Sequence, residues 1–169
     1  MQEENDLKEI VLDLFEYKDG NLWWKEIKHG RASDRPAGHI NGKGYRILSI
    51  WNKETKKYKI YSVHRLIFLI HYGYFPKTID HIDGVQDNNK IENLRDVTSS
   101  QNQMNRKISK NNTTGVKGVK WVEKRQRYLA RLKMNSKEYH IGTFKNIDDA
   151  AKAIKEFREI HQGEFARHT

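Results

Sequence analysis

The chain of 169 residues contains no cysteine. This absence excludes disulfide bonds, zinc ribbons and any metal site built on thiolates. The fold must therefore depend on side-chain packing, for which eight Tyr, six Phe and four Trp supply large apolar groups.

Long apolar segments are absent too. The most apolar stretch, residues 63–74, contains His64, Arg65 and His71 and is far too short to span a bilayer. The N-terminal residues lack the basic start and apolar core of a signal peptide. We therefore expect a cytoplasmic protein with no membrane partner.

Basic residues outnumber acidic residues, which gives a formal net charge of +10 and a pI near 9.7. Such an excess attracts polyanions, and nucleic acid is the commonest soluble polyanion. A ribosomal protein or a membrane-surface protein would also be basic, so charge by itself names no function. The imbalance is strongest over residues 106–133, which hold ten bases and one acid, Glu123.

The patterns of apolar and turn-forming residues divide the chain near residue 110. Before that point they predict a helix over 6–16, a hairpin that turns at Asp19-Gly20, a loop over 28–44, strands over 45–51 and 57–63, and a helix over 63–73. After a polar linker over 108–114 they predict strands over 116–122, 128–134 and 138–142, and an amphipathic helix over 148–161.

The segment Asp80-His81-Ile82-Asp83-Gly84, with Asn93 and Asn102 downstream, carries the most informative chemical pattern of the chain. A neutral imidazole can take a proton from water near pH 7. Carboxylate and amide oxygens suit Mg²⁺, which can neutralise charge on a phosphate. We therefore interpret Asp80, His81 and Asn102 as groups that could cut a phosphodiester together, if the fold brings them close.

Local structure decides whether these groups converge. The residues predict a strand, a turn-rich loop, a second strand and a helix, over 79–82, 83–89, 91–97 and 101–107. Adjacent residues of a regular strand point to opposite sides, so Asp80 and His81 need a twist or a bulge to act on one phosphate. An Asp-His pair by itself is more often a polar turn. A calcium loop is not supported, because the Gly and Glu spacing of an EF-hand fails.

Several spaced elements together resemble the HNH endonucleases of phage and intron-homing type. They are Val63-His64-Arg65-Leu66, Asp80-His81-Ile82-Asp83-Gly84, Asn88-Asn89, Ile91-Glu92-Asn93-Leu94, Thr98 and Gln101-Asn102. The resemblance covers about residues 60–107 and implies a ββα-metal fold. It implies His81 as general base, and Asp80 and Asn102 as ligands of one Mg²⁺ or Mn²⁺ ion. It also implies Asn93 as a site residue that ties the loop together by hydrogen bonds.

Residues 113–165 resemble the APETALA-type DNA-binding domain of plant ethylene-response factors. The matching segments are residues 115–121, 128–132, 141–144 and 149–153. The resemblance implies a three-stranded sheet that enters the major groove and is backed by a helix. Spacing does not settle which face of the sheet meets DNA. The candidate DNA-binding residues are Lys117, Lys120, Trp121, Arg125, Arg127, Tyr128, Arg131 and Lys133.

We therefore expect an α+β protein with two modules. Residues 1–107 contain the ββα-metal nuclease core at about 60–107, and residues 115–169 form a small three-stranded antiparallel sheet packed on one helix. The expected function is metal-dependent hydrolysis of duplex DNA, as a site-directed nickase of homing type that needs no other cofactor. A monomer is expected, with a dimer as the alternative. A phage-encoded chain would act at the bacterial nucleoid. The rival hypotheses are a catalytically inactive DNA-binding regulator and an RNA-binding protein.

Overall fold

The computed structural model describes residues 2–26, 34–52 and 55–167. The chain forms two compact units, Met1–Asp96 and Val97–Thr169. The fold is mixed α and β, as expected, and its sheets are small and antiparallel. The helices of the described ranges are α1 (Gln2–Leu14), α2 (Val63–Tyr72), α3 (Ser99–Met104) and α4 (Ile147–Gln162). The strands are β1 (Phe15–Lys18), β2 (Asn21–Trp24), β3 (His39–Ile40), β4 (Arg46–Asn52), β5 (Lys57–Ser62), β6 (Ile79–His81), β7 (Leu94–Asp96), β8 (Val119–Val122), β9 (Arg127–Met134) and β10 (Lys137–Phe144).

The predicted hairpin at Asp19-Gly20 is confirmed. β1 and β2 pair directly, and both turn residues have positive φ, +49° and +77°, as the tightest hairpin turns require. The hairpin also ends the first helix earlier than the predicted residue 16. The ring of Phe15 is buried and packs on Trp24 with centroids 4.3 Å apart, so this residue belongs to the sheet.

The core of the first unit lies where α1 and α2 pack against the hairpin and the β3–β4–β5 sheet. α2 follows β5 without a loop and ends at Gly73, whose φ of +82° and N–H bond to the Leu69 carbonyl form a left-handed cap. The predicted loop over 28–44 is wrong for His39–Ile40, which pair with β4. Its residues 28–33 lie outside the described residues.

The segment of the Asp-His pair has the predicted order of strand, loop, strand and helix. β6 and β7 pair antiparallel, but β7 is shorter than predicted because Ile91–Asn93 form a 3-10 turn. α3 begins earlier than predicted because Thr98 caps it. The Thr98 hydroxyl accepts from the Gln101 N–H and the Gln101 amide oxygen accepts from the Thr98 N–H, which is a capping box. α3 lies in the second unit, whereas β6 and β7 lie in the first.

The second unit contains the predicted three strands and helix. The sheet has the order β10–β9–β8, and one face packs on α4 around a core of Val119, Ala130, Ala150 and Ile154. The first strand begins three residues later than predicted, after Gly118. A Cβ at Gly118 would lie 2.8 Å from the Arg131 carbonyl oxygen, and φ at this residue is +77°, so the position requires glycine.

Candidate active site

Asp80 and His81 lie on a regular strand. β6 and β7 pair in the register Ile79 with Asp96, Asp80 with Arg95 and His81 with Leu94, without a shift. Both side chains are buried, at 5% and 6% exposure. Because neighbouring strand residues alternate, the two groups extend to opposite sides of the ribbon. The bulge that would turn both toward one side is absent from this pair of strands.

Asp80 forms an ion pair with the residue directly across the ribbon. Nε and Nη2 of Arg95 both lie 2.9 Å from Oδ2 of Asp80. The two side chains are largely shielded from solvent, which strengthens a charge-assisted contact. A cation held by Asp80 would therefore share this carboxylate with a guanidinium.

His81 contacts a different set of side chains. Its Nε2 lies 3.0 Å from Oδ1 of Asn89, a residue that is 1% exposed. An amide oxygen can only accept, so in this contact Nε2 carries a proton and donates it. In a neutral imidazole with this tautomer, Nδ1 is the nitrogen that can accept a proton, as a general base must.

His64 packs edge-on against His81, with ring centroids 5.2 Å apart. Burial, followed by the neighbouring charges of His81 and Arg65, lowers the pKa of His64 to about 3. Its Nδ1 is buried and has no hydrogen-bond partner among the described residues. His64 is therefore neutral at physiological pH and adds no positive charge beside His81.

Asn93 holds the loop between the two strands, as the sequence analysis predicted for its hydrogen bonding. Its Nδ2 donates to Oδ1 of Asp83 at 3.0 Å and to the Asn88 carbonyl at 2.7 Å, and its Oδ1 accepts from the Asp83 N–H at 3.1 Å. Partial burial would raise the pKa of Asp83, but hydrogen bonds from Asn88, Val85 and Asn93 outweigh it and lower that pKa. The loop is thus built around an ionised carboxylate.

The predicted metal ligands are both oxygen donors. Asp80 offers a carboxylate and Asn102 an amide oxygen, which suit a hard cation such as Mg²⁺. Asn102 lies on α3 of the second unit, and its convergence with Asp80 stays a prediction. No group of three or more His, Asp or Glu side chains that could hold a metal is found in the ranges the structure describes. The donor chemistry therefore fits a divalent cation that keeps several water ligands.

Two comparisons with known proteins bear on this site. Residues 61–104 match the family model described as HNH endonuclease. Over 95 residues the chain is 34% identical to Protein 3.8 of Escherichia phage T7, which covers 56% of this chain and 75% of that protein. This chain belongs to the family of phage T7 Protein 3.8. Its HNH endonuclease domain contains the Asp-His pair, Asn93 and Asn102, and HNH nucleases generally use a divalent metal. No solved structure matches the chain.

The HNH domain also contains partners that the sequence analysis missed. Arg95 pairs with Asp80, and Asn89 orients His81. Asn89 is part of the HNH-like sequence motif, but the sequence alone assigned it no role. Its contact with the imidazole of His81 gives it the role of orienting that ring. Arg65, in contrast, is occupied structurally, because its Nη2 donates to the Pro76 carbonyl at 3.0 Å and its guanidinium lies over the Phe75 ring.

The strand register separates the candidate DNA-binding residues by face. Val119, Trp121, Tyr128 and Ala130 lie on the face toward α4, and the Trp121 and Tyr128 rings contact each other at 4.7 Å. The opposite face carries the basic side chains. They are Lys120, Arg127, Arg131 and Lys133. Arg125 lies outside the strands, in the 3-10 turn Glu123–Arg125.

Lys117 does not lie on a strand, and its predicted position there is wrong. It precedes β8, and its ammonium donates to the carbonyls of Met104, Arg106 and Arg167 at 2.7, 2.5 and 3.3 Å. These three bonds use the three donors of the ammonium. DNA contacts by the other candidates stay a prediction, as does the APETALA-type resemblance, because the HNH family match ends at residue 104.

No helix within the described ranges is long and apolar enough to cross a membrane.

Proposed function

We propose that this protein hydrolyses phosphodiester bonds of duplex DNA as a site-directed nickase of homing type. The observation that carries the proposal is the hydrogen bond between His81 and Asn89 inside the HNH domain. This contact orients an imidazole at the residue that follows the proposed oxygen ligand Asp80 in the chain. One active site per chain cuts one strand, so a double-strand break requires two chains.

In the proposed reaction Nδ1 of His81 takes the proton of the attacking water, while Asn89 keeps the proton on Nε2. Asp80 and Asn102 would hold one Mg²⁺ or Mn²⁺ ion, which when bound neutralises charge on the phosphate and on the departing oxygen. Arg95 fixes the Asp80 carboxylate through Oδ2. Asn93 keeps the loop that carries Asn89 in place through its bonds to Asp83 and Asn88.

The substrate is held by the basic face of the second unit, which we propose as a duplex-binding surface. Lys120, Arg127, Arg131 and Lys133 alternate along β8 and β9, so their charges fall on one side of the sheet. Arg131 is partly neutralised by Glu138 at 2.8 Å. Sites in phage or bacterial DNA are the proposed targets, since the relative is a phage protein.

A plasmid-nicking assay tests the nuclease proposal. Wild type with Mg²⁺ or Mn²⁺ should convert supercoiled plasmid to open circles, and His81→Ala should reduce the rate by at least about 10²-fold, as loss of a general base does. His71→Ala is the matched control, because His71 is exposed, is not one of the proposed site residues, and contacts the Ile67 carbonyl and the Tyr17 ring. Equal rates for wild type and His81→Ala would refute the role of His81.

The Asp80–Arg95 ion pair favours one rival function. It balances the charge of Asp80 without a metal, as would suit a DNA-binding regulator that does not cut. Under this alternative wild type binds duplex DNA and leaves it intact with every divalent metal tried. Cleavage products should then be mapped on the DNA that flanks the gene. Products at defined positions indicate site-directed cutting, whereas binding without products indicates the regulator.

A further inference from the structure

Arg158 is a buried cation with few partners. It lies on α4 with 2% of its surface exposed. Among the described residues, its guanidinium has one hydrogen-bond acceptor, the Lys117 carbonyl at 2.5 Å from Nη2. Its Nε is buried without a partner. A buried guanidinium normally faces a carboxylate or a phosphate, because removing it from water is unfavourable unless an anion compensates.

A second unpartnered polar group lies one helical turn further along α4. Gln162 is 6% exposed, and its Oε1 is buried without a hydrogen-bond partner. Residues four apart on a helix share a face, so Arg158 and Gln162 point the same way. The Oε1 of Gln162 is an acceptor and would not itself bind an anion, so the unpartnered donor of Arg158 is the group that indicates a bound anion.

Arg158 and Gln162 both line a cavity of about 330 Å³ within the second unit. Its lining contains no acidic residue among the described side chains, and it also contains the amides and hydroxyl of Gln103, Asn112 and Ser109. The basic residues that line it include Arg106, Lys107, Lys117 and Arg158, whereas Arg131 and Lys133 border it from β9 with side chains on the sheet face away from α4. A cavity in which a buried guanidinium meets further basic residues, with no acidic residue among its described lining, has the chemistry of a phosphate site.

Lys117 shows that the positive potential of this cavity is not compensated. Burial, followed by the charges of Arg158 and Arg167, lowers the pKa of Lys117 to about 8. The ammonium is held in place by the carbonyls of Met104, Arg106 and Arg167, so it cannot turn away from the guanidinium of Arg158. An anion in the cavity would relieve the repulsion between these cations.

We propose that this cavity binds a phosphate group, with Arg158 as its buried anchor. The phosphate is either a diester of the DNA backbone or a free phosphate or monoester. The first source rests on the proposed function and deepens it, because it places one backbone phosphate in a defined pocket. The second source is independent of nuclease activity.

Thermal unfolding of the full chain tests the site without DNA. Inorganic phosphate, added at constant ionic strength against chloride, should raise the Tm of wild type along a saturating curve. Arg158→Met should keep or raise the Tm in phosphate-free buffer, since it removes an unpaired buried charge, and should lose the response to phosphate. Lys152→Met is the matched control, since it removes one charge from an exposed position of the same helix. An Arg158 with only a structural role would instead lower the Tm of the variant equally with and without phosphate.

A second variant keeps the test independent of folding at residue 158. Arg106 is exposed at the edge of the cavity, so Arg106→Gln should fold and should weaken phosphate binding several-fold. Equal phosphate responses of wild type, Arg158→Met and Arg106→Gln would overturn the proposal. The same conclusion would follow if phosphate and chloride gave wild type the same Tm.

DNA binding distinguishes the two sources of phosphate. If a backbone diester occupies the cavity, a non-cleaved duplex should compete with inorganic phosphate. Arg158→Met should then reduce the slope of log affinity against log salt by about 0.9, the value of one phosphate contact. Phosphate binding that persists unchanged with duplex bound assigns the cavity to free phosphate or a monoester. Neither result depends on whether the HNH domain cuts DNA.

Discussion

At the scale of single residues, the candidate active site depends on neighbours outside the Asp80-His81 pair itself. His81 is oriented by Asn89 and packed against His64, while Asp80 is neutralised by Arg95. Each neighbour biases the chemistry in a definite direction. Asn89 selects the tautomer, His64 stays neutral, and Arg95 competes with any cation for the same carboxylate. The role of His81 as base stays a prediction, and these contacts define what a substitution at each neighbour should change.

His64 should make the protein sensitive to acid. Its pKa is about 3 in the native state against 6.5 ordinarily, so between these values the unfolded chain binds a proton that the native chain does not. This contribution to stability is present above pH 6.5 and is lost as the pH falls toward 3. At pH 4.5 the loss amounts to about 3 kcal/mol. Urea unfolding of wild type and His64→Gln at pH 7.5 and 4.5 measures it, and the variant should lose less stability on acidification.

The exposed His39 supplies the control for this experiment. His39→Gln should show the same loss on acidification as wild type, because it removes an exposed imidazole and leaves the buried His64 in place. If His64→Gln and wild type lose equal stability between the two pH values, His64 is not the source of the acid sensitivity.

At the scale of elements, the loop between β6 and β7 decides where the site residues lie. The loop has no regular strand or α-helix, and its shape comes from polar bonds around Asp83. The Val85 N–H and the Asn88 Nδ2 donate to this carboxylate at 2.8 and 2.6 Å. Gly84 provides the positive φ of +68° that the turn requires. Such a loop is specified by few residues, so one substitution can misplace His81 and Asn89 together.

Asn93→Ala should disrupt this loop. It removes two donors and one acceptor from an 8% exposed position and leaves the Asn88 carbonyl and the Asp83 N–H without that partner. A loss of about 2–3 kcal/mol in the free energy of unfolding is expected, because buried polar groups are left unsatisfied. Nicking, measured well below the lowered Tm, should also fall at least about tenfold, since the loop orients the base.

Two further variants serve as controls for the Asn93→Ala experiment. Asn5→Ala, at an exposed position of α1, should change neither stability nor nicking appreciably. Asn93→Asp retains an acceptor but places a second carboxylate near Asp83, so it should be at least as damaging as alanine. Unchanged nicking by Asn93→Ala would show that catalysis does not depend on the loop that Asn93 holds.

At the scale of the whole molecule, the excess positive charge is organised rather than spread evenly. The net charge of +10 includes the row of bases on one face of the second unit's sheet and the bases that line the cavity around the buried Arg158. Charges on an exposed face act together on a polyanion and make its binding depend on salt. The two groups of bases therefore make separable predictions, one for an open surface and one for a pocket.

The open surface can be tested by neutralising two of its lysines. Lys120→Gln with Lys133→Gln should lower duplex affinity and reduce the slope of log affinity against log salt by about 1.8, if each lysine contacts one phosphate. Lys145→Gln with Lys152→Gln removes the same charge from other exposed positions and is the control. Equal slopes for the two double variants would show that net charge, and not this face, drives binding.

The sequence by itself determined the order of most elements and the HNH signature that the family model matches. Strict local rules explain this success. An Asp-Gly pair with positive φ closes the first hairpin, a left-handed glycine ends α2, and the spacing of apolar residues predicts α4. The HNH pattern is local in the same sense, because its signature residues all lie within one continuous segment, residues 61–104.

Only the tertiary structure decided which groups meet. Arg95 reaches Asp80 through the register of two strands, and Trp121 and Tyr128 share the α4 face because each strand has a single buried side. Lys117 and Lys120 are equally basic in the sequence, yet one is fixed among backbone carbonyls and the other is exposed. These differences depend on packing between segments that are distant along the chain. The periodic pattern of apolar residues in the sequence does not specify which strand register or which face that packing selects.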